Sequence, residues 1–112
     1  MTVRAPKFAE YSHDPQAVLD YPFNWEAWLT VDDVILAATV VLDDIFDSAG
    51  QPVDLIDDTT PVEVDLVTNT DTLVVAWLSG GTLGYVYILT CHVTTADGRE
   101  EDKSIRLFVQ QH

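Results

Sequence analysis

Hydrophobic and polar residues alternate over several short segments of the chain, and this period of two predicts β-strands. In VEVDLVT, residues 62–68, apolar Val62, Val64 and Leu66 are predicted to face inward, with acidic residues between them. VILAATVVLD, residues 34–43, has apolar residues at both odd and even positions, which favours a strand covered on both faces or a central strand. Its composition alone would also suit a helix, but its β-branched residues favour the strand.

Turn-forming residues separate these segments at intervals of roughly ten residues, the spacing typical of a β-sandwich. Ala96-Asp97-Gly98 predicts a hairpin with Gly98 at positive φ, and LSGGTLG (78–84) predicts a tight connection between strands. We therefore predict an all-β fold, an immunoglobulin-like β-sandwich of about seven antiparallel strands. Tyr87, near the start of the penultimate strand, is expected to bond through its hydroxyl to backbone at a corner, with Tyr85 as the alternative.

The N-terminal part of the chain lacks a sustained period and predicts a separate element. We assign residues 1–22 to an extended N-terminal arm and residues 23–112 to the sandwich. Asp14 and Pro15 predict the N-cap and first position of a short helical turn that ends at Leu19. Arms of this kind become ordered on a neighbour, so residues 1–22 are expected to lie on an adjacent subunit or partner protein.

Two tryptophans stand three residues apart in NWEAWL, within a segment (23–29) that alternates as a strand. A strand would place Trp25 and Trp28 on opposite faces, so they could not form one stacking platform for a ligand. Trp25 is predicted to fill the core and Trp28 to be exposed. Because aromatic residues are enriched at protein interfaces, the residues predicted to bind a partner are Tyr11, Tyr21, Phe23 and Trp28.

The composition excludes several classes of function. With 47% hydrophobic and 21% charged residues the chain is an ordinary globular domain. Nineteen acidic against five basic residues give a net charge of −14, which disfavours nucleic-acid binding. The single cysteine, Cys91, excludes an intrachain disulfide and predicts a buried small hydrophobe. No signal peptide or membrane-spanning stretch is recognisable, so we expect synthesis in the cytoplasm without membrane attachment.

Candidate chemistry is sparse. Aspartates crowd residues 43–58, where a solvated acidic loop is favoured over a calcium site because the spacing does not match an EF-hand. Asp43, Asp44 and Asp47 are the weak candidates for a metal. His13, in the predicted arm, and His92, predicted to face away from Cys91, lie in no catalytic or metal-binding motif. We expect no enzymatic activity and no cofactor.

Four motifs occur together and in order: DPQAVLDY (14–21), WEAWL (25–29), WLSGG (77–81) and TTADGR (94–99). In this order they resemble the small tailed-bacteriophage structural proteins of the fiber–tail adaptor or tail-assembly-like type. The resemblance covers most of the chain and is weakest over residues 43–70, which are unusually acidic here. It implies an immunoglobulin-like virion protein that is assembled in the host cytoplasm and carries no catalytic residues.

The resemblance further implies partners among the neck, tail or fibre proteins of the particle, at the head–tail neck or the tail–fibre junction. Several copies would form a homo-oligomer or ring, with no nucleic acid and no membrane bound. Two other hypotheses stay open at this point. The first is a free carbohydrate- or calcium-binding β-sandwich module, and the second is an acidic inhibitor of a host protein.

Overall fold

The computed structural model describes residues 9–111 of the chain, which form seven strands in two facing sheets. A single 3₁₀ turn at Leu55–Asp57 is the one helical element in this part of the chain, so no helix there could cross a membrane. The strands are β1 (Ala9–His13), β2 (Val18–Asn24), β3 (Ile35–Phe46), β4 (Val62–Asn69), β5 (Leu73–Gly80), β6 (Val86–Thr95) and β7 (Glu100–Val109).

The strand order is β1-β7-β6-β3 in one sheet and β2-β5-β4 in the other. This arrangement confirms the predicted all-β sandwich of about seven strands. Neighbouring strands are antiparallel except β1 and β7, which run parallel with Ala9 opposite Ile105 and His13 opposite Val109. The expectation of antiparallel strands throughout is therefore wrong for this pair. A parallel pair is possible here because β1 and β7 are far apart in sequence, so no tight hairpin forces them to run antiparallel.

The core lies between the sheets and follows from the alternation within each strand. On β6, Tyr87, Leu89, Cys91 and Val93 are fully buried on one face, as the period of two predicted. Trp25 is also buried, as predicted, at 2% exposure. Burial raises the pKa of the Cys91 thiol to about 11, so at neutral pH it stays protonated and unreactive.

Residues 9–22 of the predicted arm belong to the sandwich. β1 lengthens one sheet at β7, and β2 pairs with β5 in the other, so the prediction that these residues lie away from their own sandwich is wrong. Residues 1–8 lie outside the described residues. His13, assigned to the arm, is fully buried, and its Nδ1 lies 2.6 Å from the Tyr21 hydroxyl. The contact between His13 and Tyr21 thus joins β1 and β2, the first two of the described strands, inside the core.

The predicted helical turn at Asp14 is instead a tight turn between β1 and β2. The Gln16 amide donates to Asp14 Oδ1 at 2.9 Å, and the Ala17 amide donates to the Asp14 carbonyl at 3.0 Å. Val18 already pairs in β2 opposite Ser79, so the backbone is extended before Leu19. Pairing with β5 satisfies the backbone groups that a helix would otherwise satisfy.

β3 is a strand, as predicted, but the expectation that it is central or covered on both faces is wrong. It is the outermost strand of the four-stranded sheet. Register shifts against β6 occur between Ile35 and Ala37 and between Leu42 and Asp44. Leu36 and Val41 keep 64% and 51% of their surface exposed, although the apolar residues of this segment are typical of a buried strand.

A buried polar network holds the loop before β4 against the loop between β5 and β6. The Tyr87 hydroxyl donates to Asp58 Oδ2 at 2.5 Å and accepts from the Thr82 amide at 2.9 Å. The Thr82 hydroxyl and Thr60 amide also donate to Asp58 Oδ1, at 2.7 and 3.1 Å. The predicted bond from Tyr87 to corner backbone is confirmed, whereas Asp58, grouped with the solvated acids, is buried.

The connection between β5 and β6 depends on Gly81. Its φ is 108°, and its amide donates to the Thr60 carbonyl at 3.0 Å. A Cβ at this position would lie 2.7 Å from Val109 Cγ2, closer than packed carbon atoms allow, and 3.1 Å from Val62 Cγ2, which is a tight contact. Gly98 also has positive φ (82°), as predicted, but a Cβ there would meet no atom within 4 Å.

Tyr87→Phe should lower the free energy of unfolding by about 1.5–3 kcal/mol, because it removes a hydrogen bond to a buried carboxylate without changing the ring. Burial and Asp58 raise the pKa of Tyr87 to about 12, so the hydroxyl is a proton donor at neutral pH. Tyr85→Phe is the control and should change stability by less than about 0.5 kcal/mol. Urea denaturation measures both, and equal effects would contradict the role assigned to the network.

Gly81→Ala should destabilise the protein by about 2–5 kcal/mol, which combines left-handed backbone strain with overpacking. Gly98→Ala should cost about 1–2 kcal/mol, because only the backbone strain applies there. Chemical denaturation of both variants measures this difference. A Gly98→Ala variant as unstable as Gly81→Ala would show that close packing against Val62 and Val109 is not the constraint.

Candidate partner-binding surface

The outer face of the three-stranded sheet carries an exposed apolar patch. On the central strand β5, Val74, Ala76 and Leu78 are fully buried, so Val75 and Trp77 point outward. Trp77 is 37% exposed. Across the strands, Leu66 lies opposite Trp77, and Pro22 lies opposite Val75. We call this surface the Trp77 patch, which consists of Val18, Pro22, Leu66, Val75 and Trp77.

Leu66 reaches this surface because the register of β4 shifts beside it. The alternation placed Leu66 inward with Val62 and Val64, and this expectation is wrong. Pairing of β4 with β5 is irregular between Val64 and Leu66, so one extra residue reverses the faces beyond that point. Leu66 is consequently 54% exposed, and Val67 takes the position facing the core.

Acidic residues border the Trp77 patch. Asp20 lies on β2 directly opposite Trp77, and Glu63 lies on β4 opposite Ser79, and both are exposed. β2, β4 and β5 contain no lysine or arginine. The surface therefore combines an apolar centre with negative charge, and it complements an apolar surface bordered by basic residues.

Two of the predicted partner-binding residues are not on the surface. Tyr21 and Phe23 are 5% and 1% exposed, because the alternation of β2 directs both into the core. Tyr11 is half-buried and contacts Tyr21 edge to face, with ring centroids 5.2 Å apart. The aromatic residues of this segment that sequence reasoning assigned to a partner thus mainly stabilise the fold.

Trp28 and Trp25 contact each other, contrary to the prediction of opposite faces. β2 ends at Asn24, and the amides of Trp28 and Leu29 both donate to the Trp25 carbonyl at 3.0 Å, which forms a turn. The indole centroids lie 5.2 Å apart at 67°. The Arg99 guanidinium lies 4.0 Å from the Trp28 ring centroid and donates to the Trp28 carbonyl at 3.2 Å. Trp28 is therefore half-buried and already occupied by contacts within the chain.

Two of the three aspartates proposed as weak metal candidates accept hydrogen bonds within the chain, and the third is exposed. Asp47 Oδ1 accepts the amides of Ala49 and Gln51 at 2.9 Å each, which closes the turn after β3. Asp43 accepts a hydrogen bond from the Thr90 hydroxyl, and Asp44 is exposed. Within residues 9–111, no group of three or more His, Cys, Asp or Glu side chains could hold a metal ion.

His92 points outward, away from Cys91, and lies between two carboxylates on β7. Its Nδ1 is 2.6 Å from Asp102 and its Nε2 is 3.0 Å from Glu100. Hydrogen bonds to Asp102 first, and to Glu100 second, raise the pKa of His92 above its ordinary value. Both ring nitrogens are engaged, so neither is available to take a proton from a nucleophile.

Asp33, by contrast, is buried and its pKa is lowered. Burial by itself would raise the pKa, but hydrogen bonds from the Thr95 side chain and from the amides of Asp97 and Val34 outweigh it. The two amides lie 3.0 Å from Oδ1. Asp33 therefore ties the entry to β3 to the hairpin between β6 and β7, which is a structural role.

The comparison with protein families decides the class of protein. The family described as podophage GP4 fiber-tail adaptor protein gp77 matches residues 13–108. The chain belongs to this family. The match confirms the resemblance inferred from the four motifs. The matched range also contains every residue of the Trp77 patch. Among curated proteins, none matches the chain.

The residue pattern did not lead us to predict the Trp77 patch of this adaptor, although one segment of the sequence indicated an apolar outer face. TLVVAWL (72–78) is apolar on both parities, which for a strand of a sandwich places apolar side chains on the outer face. Trp77 could have been singled out on that basis. Leu66 could not, because its outward position depends on an irregular pairing that the residue pattern does not reveal.

His92→Gln should lower stability more in mildly acidic than in alkaline solution. The raised pKa in the folded state means that His92 stabilises fully below its unfolded pKa, about 6.5, and that this contribution is lost as pH rises through the folded value. Unfolding free energies of the wild type and variant should be compared at about pH 5.5 and about pH 9. A difference independent of pH would contradict the ion pairs with Asp102 and Glu100.

Proposed function

We propose that the chain is a non-enzymatic structural protein of the virion, which joins other virion proteins at the junction between tail and fibre. The observation that carries this proposal is the family match over residues 13–108. Assembly would take place in the host cytoplasm, and the mature location would be the virion. The Trp77 patch supports the proposal, since an exposed apolar surface bordered by polar residues marks a protein interaction site.

We also assign the domain to the immunoglobulin-like class. The division into sheets β1-β7-β6-β3 and β2-β5-β4 supports this assignment, because such domains divide seven strands between two packed sheets of four and three strands. The Tyr87 hydroxyl, bonded to the Thr82 amide upstream, corresponds to the tyrosine corner found near the start of the penultimate strand in such domains.

The occupant of the Trp77 patch is a surface of another virion protein, apolar at its centre and bordered by lysine or arginine. Charge complementarity favours this partner over a second copy, because every copy has a net charge of −14. Trp77 is the natural anchor, since tryptophan is enriched among the residues that dominate binding energy. Asp20 and Glu63 would orient the basic partner.

The double variant Leu66→Thr/Trp77→Thr should remain folded and be depleted from particles. Loss of a tryptophan anchor costs about 2 kcal/mol or more of binding free energy, roughly a thirtyfold loss of affinity. The matched control is Val31→Thr/Ile56→Thr, which alters residues that are 89% and 90% exposed outside the strands. Quantitative mass spectrometry of purified virions measures incorporation, and thermal unfolding checks the fold.

Two results would count against these proposals. If the wild-type chain is absent from purified virions, the adaptor role itself is wrong. If the Leu66→Thr/Trp77→Thr variant enters particles as efficiently as the control, the adaptor role stands but the Trp77 patch is not its docking surface.

A further inference from the structure

The two sheets have four outer edges, and three of them carry features that prevent pairing with another strand. β1 carries a charged residue, Glu10. β2 carries Asp20 and Pro22, and proline cannot donate a backbone hydrogen bond. β4 carries Glu63 and Asp65 beside a register shift. Short length, charge, proline and bulges are the means by which natural sheets protect their edges.

The fourth edge, β3, has register shifts only near Leu36 and Asp43, and the stretch between them lacks the charge and proline that protect the other edges. It has twelve residues, and ILAATVVL (35–42) contains no charged residue, proline or glycine. The Val53 amide donates to the Ile45 carbonyl at 2.8 Å, and Phe46 forms an isolated bridge with Pro52. These contacts cover the C-terminal end, and the Ile35 amide donates to the Asp71 carbonyl at 3.0 Å at the N-terminal end, so residues 36–42 remain uncovered between them. Among the strands described, none pairs with β3 on the side away from β6.

An acidic groove adjoins the end of this edge. Its volume is about 240 Å³, and its walls combine apolar side chains with three carboxylates. Lysine and arginine place an aliphatic stem on apolar surface while the charged end meets carboxylates, so the groove suits a basic side chain. The carboxylates belong to Asp43, Asp44 and Asp54, and Leu42, Val53 and Leu55 contribute apolar surface.

We propose that residues 36–42 of β3 pair with an extended segment of another virion protein, which carries a lysine or arginine that enters the acidic groove. The inference rests on the proposed adaptor function and adds a second contact, distinct from the Trp77 patch. Backbone hydrogen bonds would give affinity, and the groove would select the register and the charge of the segment. The added strand would extend the four-stranded sheet.

Charge selects this occupant over a second copy of the chain. A second copy is a poor source of positive charge, because it carries five basic against 19 acidic residues and has no lysine or arginine in strands β1 to β5. A second β3 would also bring its own Asp43 and Asp44, together with a body of net charge −14. A basic extended segment of another protein would be repelled neither by the groove carboxylates nor by the overall negative charge of the chain.

Hydrogen–deuterium exchange on the wild-type chain, free and in purified particles, tests the pairing directly. Backbone amides within residues 36–42 that face away from β6 should exchange at least about tenfold more slowly in particles, because new hydrogen bonds protect them. Unchanged exchange over these residues, in particles that do contain the chain, would overturn the edge pairing and leave the adaptor function intact. Absence of the chain from particles would instead overturn the adaptor function.

A matched pair of variants provides the second test. Val41→Lys places a positive charge on the edge, and it should abolish the protection and reduce incorporation at least about tenfold, since edge lysines block strand addition. Val31→Lys makes the same change at a residue 89% exposed in a loop, and it should enter particles normally. Normal incorporation of Val41→Lys would overturn the proposal. Concentration-dependent dimers of the free chain with the same protection would show that a second copy is the occupant, which also overturns it.

Discussion

Each of the two sheets has an apolar inner face, and mutual burial of these faces is the interaction on which the structure depends. Neither sheet could be stable alone in water, since one face of each consists of residues such as Leu78 and Leu89 that are fully buried only when the sheets meet. Trp25, just beyond the end of β2, is buried at the same interface. Carboxylates remain mostly outside, so folding concentrates negative charge on the surface.

Polar side chains inside the sandwich fix the loops that connect its sheets. Asp58 accepts hydrogen bonds from Tyr87, Thr82 and Thr60, and Asp33 accepts two backbone amides near the β6–β7 hairpin. A buried carboxylate is tolerated only when such donors replace water. These networks therefore hold each loop in one position. Because the carboxylates of Asp58 and Asp33 are engaged in them, neither is available to bind an ion or a partner.

The two outer surfaces that we propose for association differ in kind. The Trp77 patch offers side chains on a sheet face, whereas the β3 edge offers unpaired backbone at the rim of the other sheet. Both adjoin carboxylates, so both favour basic partners, and the overall charge opposes association between copies. A small domain with two separate surfaces of this kind is physically suited to hold two proteins together.

The residue pattern by itself determined the all-β sandwich, the buried face of β6, the Gly98 hairpin and the Tyr87 corner, because these depend on local alternation and turn chemistry. Tertiary structure alone decided the rest, since strand pairing joins residues far apart in sequence. Pairing with β5 and β7 drew residues 9–22 into the sheets, and an irregular register turned Leu66 outward. The position of β3 at an edge, which leaves one side of an apolar strand without a partner strand, follows from strand order, and no local pattern encodes that order.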